Sequence, residues 1–357
     1  MENQPTADFL RALPKCEHHM HLEGALTPEV LFKLAAKNNI SLPADDGAFK
    51  SSDALLARYD TFTSLDDFLH YYYIGMSVLI DASDFEALAW DYFTHAAADG
   101  VVHAEVFFDP QAHISRGVPY ETVLSGFSAA RKRAAAELGI SSELICCFLR
   151  HLPVADCKST FALDKVQESF RSGSVIGIGL DSSEKGFPPE WFEDLYKDAK
   201  SLGLRRTAHA GEEGPSEYIQ SALNVLGVER IDHGIRLAED EELLERVARD
   251  GTLLSVCPMS NVLLRCVRQV ADLPIRKFLD SGVKFSINSD DPAYFGNNYL
   301  LDNYIAVQTA LQLSVVDWNT MCENSIRGSW CSDTRKVEML AKLKEVVDTW
   351  LNHIQAS

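Results

Sequence analysis

The chain has 357 residues, 46% of them hydrophobic, with 20 Gly and 13 Pro, so it is long enough for one large α/β unit or two smaller ones with a sizeable core. Its 33 basic against 52 acidic side chains leave a net charge of −19, a field that repels nucleic acid and acidic lipid and points to a small neutral or weakly charged substrate. No apolar run approaches the ~20 residues of a membrane span, the opening MENQPTADFL lacks the basic start and apolar core of an export signal, and the eight cysteines contain no CxxC pair, so the pattern predicts a reduced protein of the cytosol, or of cytosol and nucleus.

Short β-rich apolar runs recur at 15–21, 101–108, 143–150, 174–181, 204–211, 229–234, 252–258 and 283–291, each followed by a segment of helical period. Between the first two, residues 25–100 exceed a single crossover helix and hold the aromatic-rich YDTFTSLDDFLHYYYIGMSVLI. This segment predicts a helical insertion over the barrel mouth, with Tyr71, Tyr72 and Tyr73 packed between helices. Within it SDFEALAWDYFTHAAADG is framed by Ser83 as N-cap and Gly100 as C-cap; further on, PPEWFEDLYKDAKSLG opens on Pro and closes on Gly203.

Strands apolar on both faces and alternating with helices predict a parallel sheet, and eight of them predict a closed (β/α)8 TIM barrel. No GxGxxG follows the first strand, which argues against an open doubly wound sheet. No repeat, low-complexity tract or linker interrupts the chain, so residues 1–357 are expected to form a single domain.

Polar residues gather at the C-terminal ends of the predicted strands: His19 and His21, Asp109, Arg150, Asp181, His209, His233, and Asp290 with Asp291. In such a barrel these ends meet on one face, where the active site lies. Residues two apart on a strand share a side, so His19 and His21 face inward together while His18 and Met20 face the helices. With His209 and Asp290 they make three imidazoles and a carboxylate, a set that binds a first-row divalent metal and leaves a position for water, whose pKa would fall from 15.7 towards ~7.

Glu212, in HAGEEGP, sits three residues past His209 and is the candidate general acid/base. Its neighbour Glu213 is expected in solvent or at a helix start. His233 is either a further nitrogen ligand or a group just outside the metal shell that holds the developing charge. Asp290 and Asp291, adjacent in extended backbone, are expected to point to different sides, one to the metal and the other to substrate or to capping the turn before Pro292. The histidines at 70, 95, 103, 113, 151 and 353 are expected on the surface or in packing.

Together HxH, HAGE, DHG and NSDDP, in that order at the ends of strands one, five, six and eight, resemble the adenosine/adenine deaminase family of the metal-dependent amidohydrolase superfamily, over Lys15 to about Arg335. The resemblance implies one Zn²⁺ per chain on His19, His21, His209 and Asp290. It also implies Glu212 as proton shuttle, His233 orienting the attacking hydroxide, Asp291 at purine N7, and the Ser182 backbone N–H at N3.

Longer strings, among them AEVFFDPQAHISRG, GLDSSEKGFPPE and INSDDPAYFG, look like the adenine deaminase branch of fungi and bacteria, and imply hydrolysis of adenine to hypoxanthine and ammonia in purine salvage. Adenosine deaminases read HLDG where this chain reads HLEG, and Glu23, one methylene longer, would occupy ribose space. Adenosine, N6-substituted adenine or AMP, and a non-catalytic purine-binding barrel are the alternatives. No PCxxC accompanies an HxE motif, which separates the chain from the other zinc deaminase design, and no lysine ends strand four, which favours one metal over two.

Overall fold

Eight strands form one sheet in chain order, every neighbouring pair parallel: β1 Lys15–Glu17, β2 Val101–Phe108, β3 Ser141–Leu149, β4 Gly177–Asp181, β5 Arg205–Ala210, β6 Arg230–His233, β7 Leu253–Val256 and β8 Lys284–Ile287. They come from a computed structural model that describes residues 5–356, with side chains as far as residue 352, so the His353 side chain lies outside the described residues. Helices follow the strands, giving the expected (β/α)8 barrel.

The ring closes through irregular backbone. β1 stops at Glu17, short of the expected residue 21, because the His18 N–H goes to the Asn288 side chain at 2.7 Å, in place of a ladder carbonyl. Beyond it, Met20 pairs with Asp290 and His21 with Phe107 as isolated bridges. The His21 N–H donates to the Asp290 carbonyl at 3.0 Å and the Asp290 N–H to the His19 carbonyl at 3.1 Å. The segments that close the barrel are thus the ones that carry the candidate ligands.

The insertion contains four α-helices after the short N-terminal α1 (Ala7–Ala12): α2 (Pro28–Asn38), α3 (Ser52–Tyr59), α4 (Leu65–Met76) and α5 (Ala82–Ala98). Each of α2, α3 and α4 begins on a Thr or Ser whose side chain accepts a backbone N–H of the first turn, a cap that satisfies one of the otherwise orphaned donors. The N-cap of α5 is Asp81, in a reciprocal box with Asp84, rather than Ser83. Gly100 does sit just beyond the end of α5 at φ +84°. α4 lies over the barrel mouth, where Leu65, Phe68, Leu69, Tyr72 and Tyr73 line the central recess. Tyr71 alone of the three tyrosines turns away, donating to Asp46 at 2.7 Å.

In the N-terminal half of the barrel the interior is polar. Glu105 of β2 accepts from Arg230 of β6 at 2.5 Å and lies 3.1 Å from His103, and the Arg230 guanidinium stacks 3.9 Å from the Trp330 ring. Among the described residues no helix is long and apolar enough to cross a membrane. All eight cysteines are free, six of them buried.

Candidate active site

His19 and His21 lie just past β1, His209 is in β5, and Asp290 follows β8, so three remote parts of the sequence meet only because the barrel closes. One nitrogen from each imidazole and one Asp290 oxygen lie within 4.8 Å of one another, all buried. His21 Nε2 and His209 Nε2 are 3.3 Å apart, and Asp290 Oδ1 lies 3.2 Å from His19 Nε2 and 3.6 Å from His21 Nε2.

Burial holds His21 well below the usual imidazole range and lowers His209, so both favour the neutral form that ligates. The Nε2 atoms of His19, His21 and His209 converge on one another and on Asp290 Oδ1, at 3.2–3.6 Å for the pairs given above. The donor set therefore fits a divalent ion.

Hydrogen bonds from behind fix the imidazoles. His19 Nδ1 lies 3.0 Å from the Ser255 hydroxyl, which donates to Asp232 at 2.9 Å; Asp232 also accepts from Thr207 at 2.8 Å and lies 3.5 Å from His209 Nδ1. Asp232 gave no sign of this in the sequence beyond being a carboxylate inside an apolar strand, where a charge must be paired. His18, expected to face the helices, instead turns to the polar barrel interior: it lies between Ser286 at 3.0 Å and Ser329 at 2.8 Å, near the Arg230 and Glu105 charges.

Glu212 and His233 stand beside this cluster. Their side chains are 3.5 Å apart, His233 Nε2 is 3.7 Å from Asp290 Oδ2, and Asn261 reaches both, at 3.5 Å to Glu212 and 3.2 Å to His233. Burial, then the Asp290 and Glu184 carboxylates, push Glu212 well above the ordinary carboxylate range, so it keeps a proton where an exposed Glu would not.

The loop that carries Glu212 is clamped by Glu184, whose carboxylate accepts the backbone N–H of Gly211, Glu212, Glu213 and Gly214. Glu213, half-buried, takes part only through its backbone.

Ser182, His233 and Asp290 all hold positive φ, at 73°, 61° and 66°. Non-glycine residues adopt this region at a cost of order 1 kcal/mol or more, and such strain collects at functional sites. At Asp290 it has a direct consequence. The backbone is not extended there, so Asp290 and Asp291, expected to diverge, both line the same recess. Gly24 allows their approach, since a Cβ at that position would lie 2.2 Å from Asp291 Oδ1.

The recess also receives Asp109, Asp181 and Ser182. The Ser182 hydroxyl lies 2.9 Å from Tyr73 Oη and 2.6 Å from His151 Nδ1. Arg150 stays behind the wall, donating to the His209 carbonyl at 2.7 Å.

Glu23 is fully buried next to the recess; its Oε1 accepts the Asp109 N–H at 3.1 Å and the His113 Nε2–H at 2.9 Å, while Oε2 has no partner. His113 is therefore more than a packing histidine, although the spacing in DPQAH offers no rule that would have found it.

A parallel eight-stranded barrel with three imidazoles and a carboxylate converging at its C-terminal mouth is built as the metal-dependent amidohydrolases are. The chain belongs to the adenosine deaminase family, whose model matches residues 14–346. It is 55% identical over 355 residues to the adenine deaminase of Schizosaccharomyces pombe, an alignment covering 99% of this chain and 96% of the other.

Among solved structures it is similar to the adenine deaminase from Arthrobacter aurescens, with a TM-score of 0.89 and 44% identity over 94% of this chain and 99% of that one. It is also similar to an amidohydrolase from Burkholderia ambifaria solved with bound Zn, with a TM-score of 0.87 and 29% identity over 98% and 95% of the two chains.

Proposed function

We propose that the protein is an adenine deaminase, which hydrolyses adenine to hypoxanthine and ammonia and so serves purine salvage. The observation that carries this reading is the 55% identity, over nearly the whole chain, to a protein named adenine deaminase. Its support within the molecule is a buried proton carrier placed beside a cluster fit for a metal. The eight free cysteines support a reducing compartment, the cytosol in this reading.

His19, His21, His209 and Asp290 would hold one Zn²⁺ per chain, which when bound acidifies water so that hydroxide is available near neutral pH. The chain's own residues supply the rest. Glu212, kept protonated by burial and by its carboxylate neighbours, passes a proton to ring N1 as water adds at C6, which makes C6 electrophilic. His233, 3.5 Å from Glu212, orients the attacking oxygen and steadies the charge that develops there. Asp291, kept protonated by burial and by the Asp290 charge, donates to purine N7, the Ser182 N–H donates to N3, and Glu23 fills the space that a ribose would need.

Glu212→Gln tests the reading. Turnover of adenine, followed by ultraviolet loss and ammonia release, should fall by about 10²–10⁴-fold or more while the metal content stays at one per chain. Ready deamination of adenosine but not of adenine by the wild type would overturn the substrate assignment. Purine binding without ammonia release would favour a sensor.

A further inference from the structure

The chemistry at C6 leaves one wall of the recess without a task. Strands two and six are diametrically opposed in a ring of eight, so Asp109, at the end of β2, faces across the barrel towards His233. Asp181, at the end of β4, lies beside it: one oxygen from each and a His21 nitrogen lie within 4.8 Å of one another.

Both carboxylates line the recess and are only 1% and 2% exposed; they hydrogen-bond each other, Asp181 Oδ2 lies 3.6 Å from His21 Nδ1, and in each the Oδ1 atom has no donor from outside the pair. The Asp109 N–H is already spent on Glu23. Buried oxygens with no outside donor, turned to a cavity, are acceptors that a ligand is left to satisfy.

Adenine that presents C6 to the cluster and N1 to Glu212 turns its N3–N9 edge away from them. A free base has a hydrogen on N9 that it can donate; a nucleoside has a carbon there. We propose that Asp109, with Asp181 beside it, accepts the N9–H of a free purine base, and that this pair, in addition to the bulk of Glu23, selects bases over N9-substituted purines. The proposal rests on the deaminase reading and narrows its substrate class to 6-aminopurines unsubstituted at N9. A site built to pair with an N–H discriminates strongly against an analogue that lacks it, because the site's own polar groups are then left unpaired.

The test is kcat/KM for adenine and for 9-methyladenine in wild type, Asp109→Ala and Asp109→Asn, with metal content measured on each sample. The wild type should prefer adenine by about 10³-fold or more. Asp109→Ala should lose at least a hundredfold on adenine, mainly through KM, while 9-methyladenine changes no more than a few-fold. Asp109→Asn, which keeps the shape and one acceptor oxygen, should retain an intermediate preference.

A parallel loss on both substrates, or an undiminished preference in Asp109→Ala, overturns the proposal. If Asp109→Ala is inactive on both, the binding ratio of hypoxanthine to 9-methylhypoxanthine by calorimetry decides instead: a collapsed ratio supports the assignment and a preserved one overturns it. Failure of the deaminase reading itself would be visible separately, as a wild type that releases no ammonia from adenine.

Discussion

The Glu184 carboxylate accepts the backbone N–H of Glu212 at 3.0 Å, and with the same two oxygens those of Gly211, Glu213 and Gly214 at 2.6, 2.8 and 2.8 Å. One buried side chain thus sets the course of the loop that carries the proposed proton shuttle. Its charge is also one cause, after burial and Asp290, of the raised pKa of Glu212.

Glu184→Gln keeps the volume but offers a single acceptor oxygen to four donors. Stability should fall by about 1–3 kcal/mol, read from urea unfolding, because a buried N–H is left unpaired. The kcat should drop while KM and metal content stay near wild type. Removing a negative neighbour makes ionisation of Glu212 easier, so the limb of the pH–rate profile that reports Glu212 should move to lower pH. A merely structural Glu184 would leave that limb in place.

Asp232 holds the candidate metal ligands from behind. It accepts from Thr207 and Ser255, the second of which reaches His19, and it lies 3.5 Å from His209 Nδ1. Asp232→Asn should weaken metal binding by about 10–100-fold, the usual cost of losing a carboxylate behind a histidine ligand. Competition with a chelator on purified protein measures it. Activity restored in excess Zn²⁺ would separate weakened loading from a collapsed site, and unchanged affinity would remove Asp232 from the support of the cluster.

Much of this was legible in the sequence, and the exceptions share a cause. Strand period and helix period gave the barrel, and HxH, HAGE, DHG and NSDD marked the strand ends because imidazoles and carboxylates stand out against apolar strands. What stayed hidden depends on contacts rather than spacing. Glu184 acts on a loop 27 to 30 residues away, and His113 meets Glu23 across 90 residues. β1 was expected to run to His21, but period two cannot reveal that the barrel closes through side-chain and isolated-bridge contacts. The shared aim of Asp290 and Asp291 comes from a left-handed backbone at Asp290, a conformation that Asp tolerates better than most residues but that its presence in a sequence does not announce.

Glu23 is held from one side by His113. Arginine can only donate, so Arg116 Nη2, 2.7 Å from His113 Nδ1, makes that nitrogen an acceptor and leaves Nε2–H to donate to Glu23. Burial, then Arg116, push His113 down to about 3, so it stays neutral and keeps this tautomer across the working pH range. Glu23→Asp withdraws the carboxylate by one methylene, away from His113 and from the space a sugar would take. The preference for adenine over adenosine should narrow, as measured by the ratio of kcat/KM values. His113→Phe should narrow it in the same direction by freeing Glu23 to move, at a stability cost of about 1–3 kcal/mol. A ratio unchanged in both variants would take Glu23 out of substrate selection.

At the other end of the barrel, the Glu105–Arg230 pair makes a prediction about acid stability. Both side chains are fully buried, with His103 3.1 Å from Glu105 and the Trp330 ring over the guanidinium. Burial alone would raise the Glu105 pKa, but the Arg230 charge and then His103 outweigh it and hold the carboxyl well below its ordinary 4.5. A carboxylate depressed on folding contributes its stability above the unfolded pKa and loses it as pH falls towards the folded one. Breaking a buried pair from one side costs about 3–5 kcal/mol. Glu105→Gln, which leaves Arg230 buried and unpaired, should therefore be less stable than wild type by that order at pH 7, and the gap in urea midpoints should shrink steadily below pH 4.5. A gap that stayed constant into acid would mean that Glu105 is held by packing and neutral hydrogen bonds, and that its charge is not what Arg230 pairs with.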